Sequence, residues 1–156
     1  KEKVKSDKQK NHQSMEKRNA TKRVVEFSKY LLLFILITGC SKKVVFSDST
    51  KMPGAKVVVT IDQNRSDNYE IYVDVDNIIK AEKLSPPRET YIVWMISTEH
   101  GTINMGNLWV DDKNQAKLYT VSSHRPTRIF ITAEKSRFAE SPSTEIVLSS
   151  EDFKLK

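Results

Sequence analysis

Seven runs rich in β-branched and aromatic residues, at 56–62, 69–76, 90–97, 102–110, 115–121, 127–134 and 145–150, follow one another between short polar breaks. That rhythm is the signature of an antiparallel β domain. The clearest run is Tyr69-Glu70-Ile71-Tyr72-Val73-Asp74-Val75. Side chains alternate across a strand, so Tyr69, Ile71, Val73 and Val75 share one face while Glu70, Tyr72 and Asp74 share the other. One wet face per strand argues against a parallel sheet covered on both sides and for two antiparallel sheets packed face to face. The expected fold is therefore all-β, a two-sheet sandwich of about seven strands of the immunoglobulin-like, Greek-key type. The polar residues 63–68 and Glu99-His100-Gly101 read as hairpin connections. Residues 77–84 are the one stretch with helical character, and Pro86-Pro87 ends it, because a residue before proline is pushed out of the α region.

Ahead of this domain lies Tyr30-Leu31-Leu32-Leu33-Phe34-Ile35-Leu36-Ile37-Thr38-Gly39-Cys40, an apolar run behind Lys22, Arg23 and Lys29. Basic, apolar and small-residue regions in that order make an export signal. A spanning helix needs about 20 apolar residues, roughly twice what is present before Ser41-Lys42-Lys43. Ile37-Thr38-Gly39-Cys40 resembles the lipobox of bacterial lipoproteins. That resemblance implies cleavage before Cys40 and a diacylglycerol on its thiol, leaving the protein tethered to a membrane of the cell envelope, on the periplasmic side or at the cell surface. Met15 is the expected start of translation. The expected organisation is a removed segment 1–39, a lipidated tether 40–52, after which Pro53-Gly54 breaks the chain before regular structure, and a β-sandwich domain 53–156.

Charge narrows the partners. Residues 1–40 hold ten Lys and Arg against four Asp and Glu, which accounts for the whole formal excess of +6. Residues 41–156 hold sixteen against sixteen, so the exported part lacks the basic footprint of a nucleic-acid binder. With Cys40 the sole cysteine, the domain has no intramolecular disulfide to rest on and depends on its own packing.

Across about residues 53–150, Tyr91-Ile92-Val93-Trp94-Met95-Ile96, Met105-Gly106-Asn107-Leu108, Phe130-Ile131-Thr132-Ala133-Glu134, and Pro142 followed by Ile146-Val147-Leu148 stand in an order and spacing similar to the extracytoplasmic C-terminal domain of anti-sigma-K factors. In that family the domain follows a transmembrane helix and a cytoplasmic sigma-binding region, whereas here an export signal precedes it. The resemblance implies a fold and an exported location, and it implies no contact with a sigma factor. Ser136-Arg137-Phe138 stands where the family tends to carry glycines, and Pro142-Ser143-Thr144-Glu145 replaces its Pro-x-Gly-Pro turn.

Residue chemistry points to association and away from catalysis. His100 and His124 fall in separate loops at no metal-ligand spacing, and no second thiol exists, so no metal or cofactor is expected. Residues 62–67 superficially resemble a calcium loop, yet Asp67 occupies the sixth position where glycine belongs, Val73 replaces the bidentate glutamate and Arg65 sits in the middle. Glu70, Asp74 and Asp76 project from one strand toward water and do not face one another across a cleft. Trp94 is expected in the core and Gly106 at a bulge. The candidate partner surface is Tyr72, Trp109 and Tyr119. The expected partners are the membrane, through Cys40, and another envelope protein; a glycan held on those three aromatics is the alternative.

Overall fold

The computed structural model describes residues 41–155, and Met15, the apolar run and Cys40 lie outside them. Eight strands form: β1 (Lys42–Val44), β2 (Lys56–Gln63), β3 (Tyr69–Asp76), β4 (Thr90–Ser97), β5 (Gly101–Leu108), β6 (Gln115–Ser122), β7 (Pro126–Glu134) and β8 (Ile146–Ser149). They make two antiparallel four-stranded sheets, β1-β2-β3-β6 and β5-β4-β7-β8. Strands β3 to β6 are laid out as a Greek key: after β4 and β5, the chain returns to place β6 beside β3. The helical stretch condenses to a single 3-10 turn at Ala81–Lys83. Among the described residues no helix is long and apolar enough to cross a membrane.

Alternation sets the inner faces. Val59 and Ile61 of β2 and Ile71, Val73 and Val75 of β3 are buried against Tyr91, Val93 and Met95 of β4 and Ile129, Ile131 and Ala133 of β7. The two sheets meet along both sides of the sandwich. On one, Phe46 bridges to Ser150; on the other, Val110 bridges to Ala116.

Strand β1, which the sequence pattern does not anticipate, corrects the tether. Residues 41–52 are not a flexible leash ahead of a domain starting at 53: Lys42, Lys43 and Val44 pair with Ile61, Thr60 and Val59, and Val44 is buried. Beyond β1, the Ser49 hydroxyl donates to the Val147 carbonyl and accepts the amide protons of Lys51 and Met52, while Met52 is buried. Among the described residues the first strand begins at Lys42.

Trp94 is buried, as expected, but on the other side of its sheet. It belongs to a separate cluster with Ile92 and Phe130, against which Ile96 and Ala139 pack, on the face turned away from the opposing sheet. Residues 135–145 cover that face, held by Asn104 Nδ2 donating to Ala139 O at 3.1 Å and Asn107 Nδ2 to Arg137 O at 3.2 Å. Strand β4 is consequently apolar on both faces.

Gly106 marks the expected irregularity. The β4–β5 register slips between Val93, opposite Gly106, and Trp94, opposite Asn104, and Gly106 has φ +128°. A Cβ there would sit 3.4 Å from Leu118 Cδ1, an ordinary contact, so the cost of a side chain comes from the backbone. Gly106→Ala is expected to lower stability by about 1–3 kcal/mol, read as a shift in the urea midpoint. An unchanged midpoint would show that the strand relaxes to negative φ.

Candidate functional site

The outer face of the β1-β2-β3-β6 sheet is ordered by its register. Thr60, Tyr72 and Tyr119 form one cross-strand row, with Val58, Asp74 and Lys117 on one side and Asp62, Glu70 and Val121 on the other. Tyr72 and Tyr119 stack with ring centroids 4.7 Å apart and an interplanar angle of 34°. Both remain about half exposed, as do Val58 and Val121. The result is a flat patch of two tyrosines and two valines.

Charged groups frame the patch, and Asp74, Asp76, Glu70 and Lys117 among them already have partners. Lys117 Nζ lies 2.9 Å from Asp74 Oδ2, which holds the lysine above its ordinary pKa first through that hydrogen bond. Gln115 Nε2 donates to Asp76 Oδ1 at 2.7 Å, and Asn64 Nδ2 donates to Glu70 Oε1 at 3.2 Å. Desolvation, followed by the neighbouring Tyr119 and Glu70, raises the Tyr72 pKa. Exposed pairs of this kind order a rim more than they stabilise a fold.

Trp109 does not join the tyrosines. It follows β5, in the other sheet, and is 62% exposed. The Arg137 guanidinium stands 5.7 Å from the indole centroid and 6.0 Å from the ring of Phe138, itself 82% exposed. Arg137 Nε donates to Glu89 Oε1 at 2.8 Å. Beside this cluster runs a groove of about 150 Å³ lined by Lys80, Glu82, Glu89, Tyr91 and Trp109 among others. The three expected aromatics thus divide into a tyrosine pair on one sheet and a tryptophan on the other. Arg137 and Phe138 are residues the sequence reading did not assign to a site; their one signal was the Ser-Arg-Phe that stands where the similar family tends to carry glycines.

Two loop histidines far apart in sequence come together. His100 and His124 lie with ring centroids 3.8 Å apart, and His100 Nε2 is 3.9 Å from Glu99 Oε2. Among the described residues no group of three His, Cys, Asp or Glu side chains is placed to hold a metal ion. The 62–67 loop spends its oxygens internally: Asn64 Oδ1 accepts the amides of Ser66 and Asn68 at 3.0 and 3.1 Å. That is an Asx turn.

No protein-family model, curated protein or solved structure matches this chain.

Proposed function

We propose that the protein is a lipid-anchored, non-catalytic binding module of the bacterial cell envelope, docking another envelope protein through the outer face around Tyr72 and Tyr119. The observation that carries the reading is the stacked, half-exposed tyrosine pair flanked by Val58 and Val121. Aromatic side chains supply large contact area at protein interfaces, and an apolar centre within a polar rim is their usual anatomy. The lipobox-like sequence ending in Cys40, the even charge of residues 41–156 and the anti-sigma-K-like strands support an exported accessory role. The resemblance to that family rests on the residues quoted for it.

One observation favours a glycan in place of a protein. Trp109 is exposed against Arg137, whose guanidinium also reaches the exposed ring of Phe138 and the carboxylate of Glu89, a combination that can stack a sugar ring and accept its hydroxyls. The two readings use different faces, which makes them separable. Cross-linking in the native envelope, followed by mass-spectrometric identification, is expected to recover one stoichiometric protein partner. The Tyr72→Ala/Tyr119→Ala double variant is expected to lose that partner at least about tenfold, the size of effect that removing interface anchors produces. Recovery unaffected by the double variant would sink the tyrosine-face reading. Retention on a polysaccharide column, lost in Trp109→Ala, would establish the glycan reading.

A further inference from the structure

From the position of β1 we infer that the lipid-anchored protein is held upright on the bilayer, with the end of the sandwich bearing residues 64–68, 98–100 and 123–125 against the lipid headgroups. This rests on lipidation of Cys40. Only Ser41 separates Cys40 from Lys42, the first of the described residues paired into the sheet. Two peptide units reach about 7 Å at full extension, so an anchor on Cys40 cannot let the domain tumble as the expected flexible tether 40–52 would.

The register then fixes which end is held. Lys42 pairs with Ile61, near the carboxyl end of β2, and Gln63 pairs with Tyr69, which pairs in turn with Ser122. In the second sheet Ser97 pairs with both Gly101 and Pro126 at the corresponding end. Contact between His100 and His124 shows that the turns of the two sheets meet there. The Arg125 guanidinium also donates to the Leu155 carbonyl, bringing the described carboxyl-terminal residues to the same end. Trp109, Arg137 and the turn at 111–114 lie at the opposite end, an eight-residue strand away, or about 25 Å.

The near end suits headgroups without depending on electrostatic attraction. Lys42, Lys43, Arg65, Arg125 and Lys154 are exposed there, and so are Asp67, Glu99, Glu151 and Asp152. A mixed surface of this kind gains little from anionic lipid, so the short covalent link and not charge sets the orientation, and raised salt should leave it intact.

The test uses the full lipoprotein reconstituted in vesicles of phosphatidylethanolamine and phosphatidylglycerol containing a headgroup-attached nitroxide lipid. Fluorophores go on Ser66→Cys at the near end or Lys113→Cys at the far end, both exposed positions. The thiol of Cys40 is consumed by lipid and does not react. Quenching is expected to be several-fold stronger at Ser66→Cys and unchanged by salt. Inserting a flexible glycine-serine segment between Ser41 and Lys42 is expected to erase the difference. Equal or reversed quenching in protein that floats with the vesicles overturns the orientation while leaving the anchor standing. Failure to float overturns both.

Discussion

Trp94→Ala is expected to lower the free energy of unfolding by about 3–5 kcal/mol, the range found when a buried large aromatic is truncated. The ring is 1% exposed among Ile92, Phe130, Ile96 and Ala139, so its removal leaves a cavity on the outer face of the β5-β4-β7-β8 sheet. It also breaks a buried chain of hydrogen bonds. Trp94 Nε1 donates to Thr132 Oγ1 at 2.7 Å, Thr132 donates to Glu134 Oε1 at 2.5 Å, and the same carboxylate oxygen accepts the Ser143 amide at 2.8 Å. Glu134 is only 4% exposed, and its hydrogen bonds are what make that burial tolerable.

The variant series separates the two contributions. Trp94→Phe retains most of the apolar volume and removes only the indole donor, so it is expected to cost about 1–2 kcal/mol. Urea midpoints measure both. Because the cluster lies outside the inter-sheet core, cleavage within residues 135–145, at Lys135 or Arg137, should also rise in Trp94→Ala before global unfolding. A midpoint equal to the parent's would remove the indole from the packing altogether.

The position of Trp94 also shows where pattern reading succeeds and where it stops. Strand β3 alternates strictly, and its faces follow from the sequence alone: Ile71, Val73 and Val75 are buried, while Glu70, Tyr72 and Asp74 turn outward. Strand β4 is apolar at almost every position, so period two carries no information about which face meets the other sheet. What covers its outer face is the 135–145 loop, whose polar sequence gives no sign of packing. Strand β1 is hidden for a different reason. Lys42-Lys43-Val44 is too short and too charged to read as a strand, and it exists because the edge of β2 is available to pair with it.

The site divides in the same way. The cross-strand register of β3 and β6 brings Tyr72 and Tyr119 together across a long stretch of chain, which alternation within each strand anticipates only as outward projection. Trp109 belongs to the other sheet, and no local pattern distinguishes it from the tyrosines. His100 and His124 converge because both sit in turns at one end of the sandwich, a consequence of topology and not of spacing.

Cys40→Ser is expected to abolish stable membrane association, the largest change any single substitution should produce in this protein. The hydroxyl of serine is not the nucleophile that accepts diacylglycerol, so the processed form with its acyl chains does not arise. Each buried CH₂ contributes about 0.8 kcal/mol, and two or three chains hold a protein on a bilayer where one chain holds it only marginally. An unprocessed precursor still carries Tyr30 to Gly39, but that run is about half the length a spanning helix requires, so its retention should be weak and released by alkaline carbonate. Two readouts decide the matter: incorporation of labelled fatty acid, expected to vanish, and fractionation after high salt and carbonate, expected to move the protein to the soluble fraction. Equal labelling in the variant, or carbonate-resistant membrane association matching the parent, would show that Cys40 is not the anchor. The upright geometry would fall with it, because a domain whose first strand starts at Lys42 is constrained by the bilayer only if the residue two positions earlier is fixed there.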